Sequence, residues 1–185
     1  MSLYQGKYRV ETTRLRSWDY RTPAWYFVTV CPQNHACILG TVAEGRVKRS
    51  PAGQIADAAL QSLADHYSHI TIDSFVVMPN HVHVIPVLGG GHRYSPCPEI
   101  RLEPRVLRNL ALAPPLAGSL STIVRSYKAG VTRRCHDIGL LDFAWQPGFH
   151  EHILRGNTSV DAVRDYIAHN PANWLKDLEN PINRL

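Results

Sequence analysis

Apolar and polar positions along the chain fall into short strand-like runs and longer stretches of helical spacing. Residues 24–31, AWYFVTVC, are rich in aromatic and β-branched side chains, which predicts a buried strand. Residues 39–49, LGTVAEGRVKR, hold Glu44-Gly45 near their middle and predict either a hairpin or a strand with a turn. Ser50-Pro51 then offers an N-cap followed by proline at the first helical position, and Ile55, Ala59, Leu60 and Leu63 recur at helical spacing to about Tyr67. Two more strands, 70–78 (ITIDSFVVM) and 83–88 (HVIPVL), flank the turn-prone Pro79-Asn80 and predict an antiparallel pair.

From about 89 to 118 no period organises the chain, and Pro96, Pro98, Pro104, Pro114 and Pro115 mark a long insertion. Ser119 can cap a second helix, with Leu120, Ile123, Val124, Tyr127 and Val131 on one face and Arg125, Lys128, Arg133 and Arg134 supplying charge. Residues 149–154 (FHEHIL) predict a short strand, and Ser159 is the expected cap of a third helix ending before Pro171. This order of elements predicts one α+β domain, a ferredoxin-like sandwich. Helices cover one face of a mainly antiparallel sheet, and a C-terminal helix is added.

Composition narrows the functional classes. Lys and Arg outnumber Asp and Glu by 20 to 15, so the chain favours a polyanionic partner, nucleic acid foremost, without requiring one. Cys31, Cys37, Cys97 and Cys135 show neither a CxxC pair nor a disulfide-scaffold spacing, which fits reduced thiols. No apolar run is long enough to span a bilayer, and the N-terminus is polar, so a soluble cytoplasmic protein is expected.

Two short constellations carry candidate chemistry. In His81-Val82-His83, alternation on a strand sends both imidazoles to one face, where they can either chelate a cation or make ordinary hydrogen bonds on a sheet surface. In the third helix, Val160, Val163 and Ile167 form an apolar stripe, while Tyr166 and Asn170 lie four apart on a neighbouring face. A phenol and an amide oxygen can thus address one point, although a tyrosine packed in the core and an asparagine cap satisfy the same spacing. His150 and His152 repeat the alternating pattern on the preceding strand.

Taken together, the two motifs resemble the HUH single-tyrosine transposases, in which a histidine pair on a strand is followed by a helix bearing a tyrosine and, four residues later, Gln or Asn. The blocks WDYRTPAWYFVTV, VVMPNHVHVI, SYKAG, WQPGFHEHILR and DYIAHNP, from about Trp18 to Asn173, resemble the REP-associated branch more closely. The insertion at 89–118 is the least characteristic part. The resemblance implies that His81, His83 and Asn170 bind Mg²⁺ or Mn²⁺ and that Tyr166 is a nucleophile forming a 5′-phosphotyrosine. It further implies nicking and rejoining of single-stranded, hairpin-forming DNA.

By the same resemblance Lys128 lies close to DNA, and Arg125, Arg14 and Arg16 are further candidates for phosphate contacts among charges that can equally be solvated. Trp18, Trp25 and Trp145 are candidates for base stacking or core packing. The branch points to a monomer acting through its own tyrosine helix, whereas related insertion-sequence enzymes exchange that helix within a homodimer. Two other readings stand beside this one: a catalytically idle hairpin-DNA-binding protein derived from a transposase, and a metal hydrolase using activated water.

Overall fold

A computed structural model of the protein describes residues 18–89, 118–177 and 179–183. Arg14, Arg16 and all of the expected insertion except its end glycines lie outside the described residues. The main sheet is built from β1 (Trp25–Val30), β4 (Ile70–Val77), β5 (Val82–Leu88) and β6 (His150–Leu154) in the order β4-β5-β1-β6, every neighbouring pair antiparallel. That order is the ferredoxin-like one expected from the alternation of elements. Between β1 and β4, β2 (Gly40–Ala43) and β3 (Arg46–Arg49) form a separate hairpin. Its turn residues Glu44 and Gly45 both have positive φ, the conformation that matches the twist of a tight hairpin.

Helix α1 (Pro51–Gln61) begins as the sequence predicts, with Ser50 Oγ accepting from the Gly53 amide at 3.1 Å. It stops earlier than the apolar period suggests, and a separate 3-10 turn, Leu63–His66, carries the buried Leu63. Helix α2 (Leu120–Asp137) is capped by Ser119 and buries Leu120, Ile123, Val124, Tyr127 and Val131. Helix α3 (Asn157–His169) corrects the expectation of a Ser159 cap: its N-cap is Gly156, with φ 94°. A residue without Cβ turns the chain out of β6 directly into the helix, so Ser159 falls inside the first turn.

The sheet separates two apolar clusters. Tyr26, Val28 and Val30 of β1 and Val82 and Val84 of β5 face α1 and α2, joining Ala56, Leu60, Ile123 and Tyr127. On the opposite face, Ile85, Val87 and Leu154 pack with Val160 and Ile167 of α3, flanked by Trp25, Phe27, Val76 and Val163. Alternation along each strand assigns successive side chains to the two clusters.

A proline helps fix α3 against this second face. Pro86 cannot donate to the ladder within the central strand β5, and the β4 to β5 register shifts opposite it, between Ile72 and Ser74. Asp73 sits at that bulge, and bulges re-aim side chains. Its carboxylate receives Arg164 of α3 through two bonds, Nε to Oδ2 at 2.8 Å and Nη2 to Oδ1 at 2.5 Å. The same guanidinium bonds Asp161 at 2.9 Å and lies 5.1 Å from the centre of the Trp25 ring.

Arg164→Met keeps the apolar stem but strands the Asp73 carboxylate, so about 1 kcal/mol of stability should be lost, a figure discounted for solvent at the guanidinium. Arg164→Lys should recover little, because an ammonium cannot reproduce the two-pronged contact. Urea unfolding of both variants checks this, and wild-type stability in either contradicts the anchoring role.

Candidate functional site

The strand register sets one row of side chains. Thr29 of β1 lies opposite His83 of β5 and, on its other side, opposite His150 of β6. Directly opposed residues share a face, so all three point to the side that α3 covers. Tyr166 from α3 and Asn173, Lys176, Asp177 and Glu179 from the chain beyond it complete a pocket of about 430 Å³ around Thr29, His83 and His150.

Both imidazoles of the sequence motif are in place, with ring centres 4.3 Å apart and both rings buried. The hydrogen bonds fix which nitrogen of His81 keeps a lone pair. Asn80 Nδ2 donates to the Glu179 carbonyl at 2.6 Å, so its Oδ1 is the amide end that faces His81 Nδ1, at 2.9 Å. An amide oxygen only accepts, hence Nδ1 carries the proton and Nε2 is the lone-pair nitrogen. For His83, Nδ1 lies 2.9 Å from Thr29 Oγ1 and Nε2 lies 3.3 Å from the Tyr166 hydroxyl. The arrangement that matches His81 has Nδ1–H donating to Thr29 and the phenol donating to Nε2.

Asn170 follows the same logic. Its Nδ2 donates to Asp177 Oδ2 at 2.7 Å, and its Oδ1 is buried and accepts no hydrogen bond among the described residues. A buried amide oxygen left in this way is costly unless something else occupies it. His81 Nε2, His83 Nε2 and Asn170 Oδ1 are therefore the candidate donors, each on a side chain held by a bond at its other end. Two imidazole nitrogens and one neutral oxygen suit Mn²⁺ and, less well, Mg²⁺.

Tyr166 is 45% exposed, unlike the core aromatics, and lines the pocket, while its ring meets Phe27 edge-on and His83 at a tilt. Burial pushes its phenol above the ordinary value and the Asp177 carboxylate adds to this, with the Asn170 amide in opposition. Burial also holds His83 well below 6.5, reinforced by His81. The pocket thus favours a neutral phenol and a neutral imidazole and resists added negative charge, which a bound cation would offset.

The remaining sequence candidates have varied places. His150 lines the pocket, and His152 lies opposite Phe27 on the same sheet face. Lys128, on α2, donates to the carbonyls of Gln146 (2.5 Å) and Gly148 (2.7 Å) and so ties down the chain leading into β6. Arg125 is exposed on α2. Trp18 is buried and donates to the Tyr26 hydroxyl, Trp145 donates to the Lys128 carbonyl, and Trp25 lies under Arg164, so all three have structural employment. Sequence reasoning missed Asn80, taken there for a turn residue, and Asp177 and Glu179, which belong to no motif.

His83 titrating well below the unfolded value of about 6.5 means that, as pH falls through that value, the unfolded chain takes up a proton the native chain does not. Stability should accordingly fall with pH from about 6.5 down to the folded pKa, in metal-free protein. Urea midpoints at neutral and mildly acidic pH should show a smaller loss for His83→Gln than for wild type; equal losses would contradict the neutral imidazole.

No family model matches the sequence. An uncharacterized protein of Haemophilus influenzae is 28% identical over 176 residues, 93% of this chain and 93% of that protein. Among solved structures, a REP-associated tyrosine transposase bound to a REP hairpin matches with a TM-score of 0.56 at 22% identity, over 90% of this chain and 74% of that one. The chain therefore has the fold of that transposase, the fold that its sequence blocks imply.

Proposed function

We propose that the protein is a divalent-metal-dependent enzyme that nicks and rejoins single-stranded, hairpin-forming DNA through a covalent bond between Tyr166 and a 5′-phosphate. The observation that carries this reading is Tyr166, a half-exposed residue of the pocket wall whose hydroxyl lies 3.3 Å from Nε2 of His83 in the same chain. A tyrosine packed only for stability needs no such exposure. The hairpin bound to the transposase of the same fold supports the choice of substrate.

In this account Asn80, Thr29 and Asp177 orient His81, His83 and Asn170, and those three hold Mn²⁺ or Mg²⁺. The cation, when bound, supplies positive charge at the phosphate oxygens and lowers the cost of bringing phosphate and phenolate together. Tyr166 presents its oxygen to phosphorus. The bond from that oxygen to phosphorus forms as the bond from phosphorus to the 3′-oxygen breaks, and the phenolic proton is replaced at the 3′-hydroxyl by one from solvent. The phosphotyrosine is a diester like the bond it replaced, so attack by a 3′-hydroxyl restores a continuous strand. Because Tyr166 meets His83 within one chain, a single subunit supplies both the nucleophile and the histidine pair.

Wild-type protein incubated with a single-stranded DNA hairpin and Mn²⁺ should give a protein–DNA adduct on a denaturing gel. Tyr166→Phe should give none while binding the hairpin within about twofold of wild type, since only the phenolic oxygen is lost. Hairpin binding without any wild-type adduct would instead identify an idle binding protein, and nicking by Tyr166→Phe would identify an activated-water hydrolase.

A further inference from the structure

We propose that Cys31, His35 and Glu179 form a transition-metal site, selective for Zn²⁺-like ions, that fastens the C-terminal turn to the loop after β1. Cys31 Sγ, an imidazole nitrogen of His35 and a carboxylate oxygen of Glu179 all lie within 4.8 Å of one another. His35 Nδ1 and Glu179 Oε2 are already 3.3 Å apart. Donor atoms around tetrahedral zinc, with bonds of roughly 2.0 to 2.3 Å, sit about 3.5 Å from each other. One edge of the triangle therefore has the required length, and the others need to close by little more than an ångström.

The three residues come from distant parts of the chain, and each is brought there for a local reason. Cys31 directly follows the strand that carries Thr29, and its carbonyl accepts from the Gln146 amide at 2.9 Å, which fixes the backbone below the thiol. Asn34 and His35 both adopt left-handed backbone, φ 57° and 51°, so the chain doubles back and returns the His35 ring toward Cys31. Consecutive left-handed residues other than glycine are uncommon, and asparagine and histidine tolerate them better than most. Glu179 is held by its own backbone: its amide donates to Asp177 Oδ1 at 2.8 Å and its carbonyl accepts from Asn80.

The donor set decides the ligand. A thiolate favours zinc, cobalt or ferrous iron over magnesium or calcium, and a thiolate, an imidazole and a carboxylate together leave a fourth tetrahedral position for water. Cys31 is 6% exposed, while the His35 and Glu179 side chains are 26% and 30% exposed, so the sulfur is shielded and an ion has a way in. This donor set is softer than the two imidazoles and amide oxygen near Tyr166, so the two places should select different ions. The consequence is mechanical: a metal there would fix Glu179, whose carbonyl orients Asn80 and through it His81.

Cobalt(II) titration of the metal-free full chain, followed by absorption, tests the assignment. One equivalent should produce a thiolate-to-cobalt charge-transfer band in the near ultraviolet, displaced by Zn²⁺. Cys31→Ser should abolish the band, and His83→Gln should leave it. Glu179→Gln, at a partly exposed position where folding is not at risk, should weaken cobalt binding at least about tenfold, the least expected when outer-shell partners alone are lost. Absence of the band, its survival in Cys31→Ser through another cysteine, its loss in His83→Gln, or wild-type affinity in Glu179→Gln would each overturn the proposal.

Discussion

The side-chain amide of Asn80 is the contact on which the arrangement of the site most depends. It donates to the Glu179 carbonyl, 99 residues away, and accepts from His81. Because an amide offers a donor at one end and an acceptor at the other, the first bond dictates the second. Placement of the C-terminal turn and the tautomer of His81 are thus one decision. Asn80 is fully buried, so neither bond can be exchanged for water without cost.

A second constraint sets where the tyrosine stands. Helix α3 lies on the sheet face away from α1 and α2, on a small cluster, Ile85, Val87, Leu154, Val160 and Ile167. Apolar contact of this kind has little direction. The Arg164 to Asp73 contact adds direction, and its position follows from a bulge opposite Pro86. With the helix so held, Ile167 turns into the cluster and the adjacent Tyr166 turns toward His83 and the opening. Asp177 and Glu179 line the same opening, together with Lys176. In the proposed reaction, a cation held by His81, His83 and Asn170 would offset the charge that a phosphate brings into this pocket.

Much of this was legible in the sequence because it rests on local rules. Ser50-Pro51 and Ser119 announce helix starts, Glu44-Gly45 a tight turn, and the spacings of His81 to His83 and Tyr166 to Asn170 place pairs of side chains on shared faces whatever the tertiary context. What escaped depends on contacts between distant segments. His150 is a candidate for a place near the site, but that it and not His152 lines the pocket follows from the register that puts it opposite Thr29, which no spacing reveals. Asn80 reads as a turn residue until residue 179 is beside it. Lys128 reads as a phosphate-binding cation, and no spacing shows that its ammonium also donates to two backbone carbonyls. Gly156 in place of Ser159 as the cap of α3 shows the same limit at short range: both residues suit a helix start, and the path of the chain out of β6 selects between them.

The proposed reaction requires His81, His83 and Asn170 to act as one ligand set beside Tyr166. Anomalous scattering from a crystal soaked in Mn²⁺ tests this most directly. A single strong peak within bonding distance of His81 Nε2, His83 Nε2 and Asn170 Oδ1 is the result expected; no peak beside His81 and His83, or a peak at His150 and His152 in their place, would contradict it.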